Sequence, residues 1–90
     1  MTPAEQSFLL QLARNLVGRQ GFAMSFVRTP DGRYVVTIQP AYGVETHTIA
    51  LRIQDEHYAH TASGNPVTAV DVVHSLVRKQ RNLYALRRAG

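Results

Sequence analysis

Residues 22–39 read FAMSFVRTPDGRYVVTIQ and carry the clearest structural signal in the chain. Apolar side chains alternate with their neighbours on both sides of residues 29–32, which is the period of a half-buried strand. In the Thr-Pro-Asp-Gly segment between them, proline presets the first turn angle, aspartate bonds back to the backbone, and glycine accepts a positive φ. The segment therefore predicts a β-hairpin.

A helix is predicted before the hairpin, over residues 3–19. Thr2 and Glu5 have the spacing of a capping box, and Pro3 suits the first helical position. Gly18 or Gly21 is expected to end the helix. The apolar side chains that recur at spacings of three and four are Phe8, Leu9, Leu12, Ala13 and Leu16.

The chain after the hairpin predicts further strands and a second helix. Residues 45–53 alternate and predict a third strand, whereas residues 57–61 fit either a short fourth strand or a loop. Residues 62–66 predict a loop. A long helix is predicted from about residue 67 to 86, capped either by Asn65 or by Thr68 with Asp71 three residues on.

This order predicts a single α+β domain over residues 1–90, with an N-terminal helix, an antiparallel sheet of three or four strands and a long C-terminal helix. Both helices are expected on one face of the sheet, because each strand has one strongly apolar set of side chains. The other face is expected to be in water. Its expected members are Ser25, Arg33, Thr37 and His47 or its neighbours.

Composition narrows the class of protein. The 90 residues include ten Lys and Arg against six Asp and Glu, for a formal charge of +4, and no cysteine. Disulfides and thiolate metal sites are therefore excluded. No stretch approaches the ~20 apolar residues of a membrane span, and no N-terminal segment has the form of an export signal. We therefore expect a cytoplasmic protein with no membrane partner.

Enzyme chemistry has little support in the sequence. His57 and His60 would point to opposite faces of a strand and so could not share a metal ion. Ser63 lies in a loop without the glycine pattern of a nucleophile elbow, and no glycine-rich phosphate loop occurs. We expect no catalytic residue, no metal site and no cofactor.

The positive charge is concentrated at the C-terminal end. Residues 1–77 have a balance of −1 and residues 78–90 a balance of +5. At about 100° per residue, His74, Arg78, Arg81 and Arg88 fall within an arc of roughly 80°, beside the apolar side of the last helix. Lys79 lies on the other flank of that apolar side. Such a row suits the repeated charge of a phosphate backbone, although cations at a helix end also simply complement its dipole.

Two parts of the chain resemble known families. Residues 67–73, with Leu76, Arg78, Arg81 and the Leu-Tyr pair at 83–84, resemble the last helix of a core histone. That resemblance implies packing roles for Val70, Val73 and Leu76 and basic roles for the two arginines. It spans about twenty residues and departs at residues 22–53, which are strand-like where a histone has its long helix. The element order also resembles double-stranded RNA-binding domains, but no cation stands at residues 66–71, where those domains are basic.

Two functions follow from these patterns. The first is a non-enzymatic module that docks an anionic surface, nucleic acid or an acidic protein, through His74, Arg78, Lys79, Arg81 and Arg88. The alternative is a protein-binding inhibitor or adaptor, such as a phage-encoded protein that acts on a host or defence complex in the manner of an anti-CRISPR. Its contacts would be aromatic and arginine anchors: Tyr42, Arg33 and Tyr84. A homodimer is compatible with both, because the last helix is apolar over a broad arc.

Overall fold

The computed structural model describes residues 1–40 and 45–89, the last eight of these by their backbone alone. Two helices flank a five-stranded sheet, which confirms the α+β prediction. The elements are α1 (Pro3–Ala13), a π-helical segment (Arg14–Arg19), β1 (Ala23–Arg28), β2 (Tyr34–Gln39), β3 (His47–Ile53), β4 (Ala59–Thr61), β5 (Pro66–Val67) and α2 (Ala69–Ala89).

The first helix begins and ends where the sequence predicts, but its last turns are π-helical. The Glu5 N–H donates to Thr2 Oγ1 (3.1 Å), and the Thr2 N–H donates to Glu5 Oε1 (3.2 Å), which completes the capping box. In the π-helical segment the Asn15 side-chain amide donates to the Gln11 carbonyl (2.8 Å), and the Gln20 N–H reaches back five residues to the Asn15 carbonyl. Gly21, with φ of 72°, then turns the chain into β1.

The predicted hairpin is confirmed. β1 and β2 pair antiparallel, with Met24 opposite Ile38. The Gly32 N–H donates to the Thr29 carbonyl (3.0 Å), and the Thr29 N–H donates to the Arg33 carbonyl (2.8 Å). Gly32 has φ of 85°, the left-handed conformation that the turn demands.

The remaining strands continue the sheet in the order β1-β2-β3-β4-β5, all antiparallel. The fourth strand forms over Ala59–Thr61, which settles the alternative that residues 57–61 left open. The loop prediction was wrong at Pro66, because Pro66–Val67 pairs with β4 as a fifth strand. A strand of two residues is too short to show a periodic pattern in the sequence. It is recognisable only by its pairing with β4.

The capping of α2 is also settled. The Thr68 N–H donates to Asp71 Oδ2 (2.9 Å), and the Asp71 N–H donates to Thr68 Oγ1 (3.1 Å). This reciprocal pair is a second capping box, so Thr68 and not Asn65 caps the helix. The helix continues to Ala89.

Both helices pack on one face of the sheet around a single apolar core. α1 and the π-helical segment contribute Phe8, Leu9, Leu12 and Leu16, the strands contribute Tyr34, Val36, Ile38, Leu51 and Ala59, and α2 contributes Ala69, Val72, Val73 and Leu76. Burial of one such large side chain is worth about 1.5–3 kcal/mol. The core therefore fixes which side of each element remains free to bind a partner.

His47 does not lie on the open face of the sheet. It is opposite Ile38, which is buried under the helices, and its Nε2 lies 2.9 Å from Gln80 Oε1 of α2. The prediction had allowed either His47 or one of its neighbours, and a period of two places residue 47 on the same face as Ile49 and Leu51. Its neighbour Thr48 is the exposed one, and it pairs with Thr37.

Candidate nucleic-acid interface

The orientation of α2 is set by its buried side chains. Ala69, Val72, Val73 and Leu76 face the core, whereas Val70 is 52% exposed. The sequence pattern had placed Val70 within the apolar side of this helix. The buried arc is therefore narrower than expected, and a broader share of the helix surface is open to a partner.

His74, Arg78 and Arg81 form what we call the α2 ridge. All three residues are exposed. At about 100° per residue they lie within an arc of about 60°, centred roughly 150° from the middle of the buried side. The ridge therefore faces away from the sheet and not along the margin of the core. The backbone of α2 is α-helical throughout its 21 residues. The three ridge residues therefore lie on one uninterrupted helix.

Three of the predicted site residues lie outside what the structure describes. Tyr42 falls in the segment 41–44, and the side chains of Tyr84 and Arg88 belong to the part of α2 described by its backbone alone. The backbone of residue 88 lies about 10 Å beyond that of Arg81 along the helix axis, at 1.5 Å per residue. Arg33 is exposed, immediately before β2.

A cleft runs along one side of the ridge. It has a volume of about 380 Å³ and is lined by Gln20, Val77 and the three ridge residues. Gln20 is positioned by the π-helical segment, whose contact with α2 brings it beside the ridge. Its amide offers two N–H donors and an acceptor next to the arginines. The local sequence does not indicate Gln20 as a site residue, because the residues that line the cleft with it belong to α2, more than 50 positions along the chain.

A second groove lies on the other side of the ridge. Its volume is about 360 Å³, and Asp71, Ser75 and Lys79 line it together with His74 and Arg78. His74 and Arg78 therefore stand between two grooves. Lys79 lines the second groove and Arg81 lines the cleft beside Gln20, so His74 and Arg78 are the predicted contacts that the two grooves share.

No ridge cation takes part in the ion pairs given by the described residues, which join Arg33 to Asp31 and His57 to Glu56, each at 3.4 Å. The acid nearest the ridge along α2 is Asp71. The backbone N–H and the hydroxyl of Thr68, followed by the charge of His74, lower the pKa of Asp71 below its usual value. Its carboxylate is thus committed to the helix cap, which leaves the two arginines facing solvent.

Two other polar clusters lie away from the ridge in the residues described. The Ser63 hydroxyl lies 3.0 Å from the Thr61 hydroxyl and 3.3 Å from the Asn65 amide. The ring of His60 meets the Tyr58 ring edge to face, with centroids 5.5 Å apart. No group of three or more His, Asp or Glu side chains stands ready to hold a metal ion in the parts of the chain that the structure describes.

A second group of cations lies at the hairpin end of the sheet. Arg52 is directly opposite His60 in the β3–β4 pair, and Arg33 lies beside them. A Cβ placed on Gly32 would lie 3.7 Å from Arg52 Nη1 and 3.8 Å from Arg28 Nη2, so two guanidinium groups approach the turn. The sequence did not indicate this cluster because it depends on strand register.

Comparison with known proteins adds no relative. No family model, curated protein or solved structure matches the chain. Within the described residues, no helix has both the length and the apolar character needed to cross a bilayer.

Proposed function

We propose that this protein is a non-enzymatic, cytoplasmic binding module that docks nucleic acid through the α2 ridge. The observation that carries the proposal is the outward position of Arg78 and Arg81. Both guanidinium groups are exposed, on the side of α2 away from the core, and neither takes part in the ion pairs described above. An arginine in a salt bridge would have to break that ion pair before it could bind a phosphate. Arg78 and Arg81 have no such ion pair to break among those described.

The chemistry of the ridge favours a phosphate backbone over a small anion. His74 and Arg81 are separated by about 10 Å along the helix axis, a length that suits repeated charges and not one carboxylate or phosphate. Arginine presents a planar fork that meets phosphate oxygens with two donors. The cleft beside the ridge is open, so an extended backbone has room to pass along it.

Binding through this ridge should be largely independent of sequence. Phosphate contacts set the position of a protein on nucleic acid, whereas base contacts give specificity. The described ridge has two guanidinium groups, an imidazole and the neighbouring Gln20 amide, but no Phe, Tyr or Trp ring on which a base could stack. We therefore expect similar affinities for unrelated duplex sequences.

Fluorescence anisotropy with a labelled duplex at about 50 mM salt tests the proposal. Arg78→Ala/Arg81→Ala should weaken binding by about a hundredfold or more, because two charge-assisted contacts of roughly 1.5–3 kcal/mol each are lost. The control Arg14→Ala/Arg28→Ala removes the same charge from exposed positions away from the ridge. Equal weakening by both pairs would contradict a localised site, and absent binding by the wild type would refute the proposal.

Protein binding remains a second candidate because one edge of the sheet is apolar and exposed. β1 is a terminal strand, in which Val27 is 66% and Phe26 41% exposed. Beside it, Leu10 and Phe26 border an open apolar hollow of about 340 Å³. Unpaired strand edges can pair with a strand of another chain.

Light scattering and capture of proteins from a nuclease-treated lysate test this second candidate. Val27→Lys places a charge on the exposed edge strand β1 and should abolish self-association and the capture of other proteins. Arg78→Ala/Arg81→Ala should leave both self-association and capture unchanged. A strictly monomeric protein that captures nothing after nuclease treatment would eliminate this candidate.

A further inference from the structure

The open face of the sheet carries a cationic cluster that the α2 ridge does not use. Arg33, Arg52 and His60, which we call the open-face patch, line a shallow cavity of about 230 Å³. Arg52 and His60 are direct cross-strand partners, so their side chains emerge on the same face. Arg52 is exposed and takes no part in the ion pairs given for the described residues.

The immediate surroundings of the open-face patch are suited to an anion. Ala50 and Gly64 complete much of its lining and add no charge. The nearby acid is Asp31, whose Oδ2 lies 3.4 Å from Arg33 Nε. This contact occupies the inner nitrogen of the guanidinium group and keeps Arg33 beside the cavity. Arg52 also borders a neighbouring hollow that Glu5 and Asp31 help to line, but it forms no ion pair with either acid in the described residues, so its guanidinium group is open to a phosphate.

The open-face patch and the α2 ridge lie on opposite sides of the molecule. α2 packs on the other face of the sheet, and its ridge faces away from that sheet. The shortest dimension of the molecule is 22 Å. A DNA duplex has a persistence length of about 500 Å and does not fold around an object of this size without strong bending. One straight duplex therefore cannot contact both surfaces.

We propose that the open-face patch is a second phosphate-binding surface, and that one molecule bridges two segments of nucleic acid. This inference rests on the proposed function of the ridge. Arg52 and Arg33 would contact phosphates of one segment, while Arg78 and Arg81 hold the other. Because both contacts are to the backbone, the two segments need not share a sequence.

A bridging assay tests the inference: a duplex is fixed to beads, and capture of a second, labelled duplex by added protein is measured. Wild-type protein should capture the labelled duplex. Arg33→Ala/Arg52→Ala should lower this capture by about tenfold or more while it still binds a single duplex in anisotropy. The control Arg14→Glu lowers the net charge by the same two units at an exposed position that lines neither surface, and it should continue to bridge.

The outcomes separate this inference from the function on which it rests. A wild-type protein that binds one duplex but captures no second duplex overturns the bridging inference and leaves the ridge intact. Bridging that survives Arg33→Ala/Arg52→Ala also overturns it, because the second contact then comes from elsewhere, such as the ridge of a second copy. Absence of any duplex binding refutes both proposals.

Discussion

Removal of the Tyr34 hydroxyl should stabilise the fold. Tyr34 is fully buried, and its hydroxyl forms no hydrogen bond with the described residues by distance and angle. The Glu5 carboxylate lies close enough to attract this hydroxyl. Burial first, and then this carboxylate, raise the pKa of Tyr34, while the hydroxyl is the main cause of the lowered pKa of Glu5. An unpaired buried polar group costs about 1–3 kcal/mol.

Tyr34→Phe keeps the ring, its packing in the core and its edge contact with Phe26, whose centroid is 6.1 Å away. The free energy of unfolding should therefore rise by about 1 kcal/mol, the lower end of the desolvation cost, because the attraction to Glu5 is lost. For a domain of this size the midpoint of thermal unfolding should rise by about 4–8 °C.

Urea and thermal unfolding at neutral pH measure this effect, with Tyr58→Phe as the control on an exposed tyrosine. The control should change stability by less than about 0.5 kcal/mol. Destabilisation of Tyr34→Phe by about 1 kcal/mol or more would refute the reasoning, because it would mean that the hydroxyl is satisfied in solution.

Three further predictions concern the turn, the cap and acid stability. Gly32→Ala should destabilise by about 1 kcal/mol or more in urea unfolding, because φ of 85° strains any residue with a Cβ. Thr68→Ala should cost about 1 kcal/mol in the same measurement through loss of the α2 cap. Folding lowers the pKa values of Glu5 and Asp71. The two ionised carboxylates therefore stabilise the fold at a pH above their unfolded-state pKa values. This stabilisation is lost as the pH falls through their folded-state pKa values. Asp71→Asn should therefore flatten the decline of stability below about pH 4, as followed by circular dichroism.

The hairpin and the first helix were predictable because local chemistry determines them. The Thr-Pro-Asp-Gly turn and the capping box at Thr2 act over four residues, within the reach of sequence reasoning. The π-helical segment was not predictable, because its apolar spacing fits an α-helix equally well. β5 was missed since its two residues are ordered by β4 and carry no pattern of their own.

The candidate site shows the same division between local and tertiary causes. The helical period places Arg78 and Arg81 on one side of α2 without any knowledge of the fold. Whether that side faces the sheet or solvent depends on burial, and the exposure of Val70 shows that apolar identity alone misjudges it. The pairing of Arg52 with His60 and the place of Gln20 beside the ridge depend on register and packing between distant segments.

The salt dependence of duplex binding tests the α2 ridge most directly. Each phosphate contact contributes a slope of about −0.9 to the logarithm of affinity against the logarithm of salt concentration. Arg78→Ala/Arg81→Ala should therefore make the wild-type slope shallower by about 2, while Arg14→Ala/Arg28→Ala should leave it unchanged. An identical slope for wild type and ridge variant would show that these arginines do not contact phosphates, and would contradict the account.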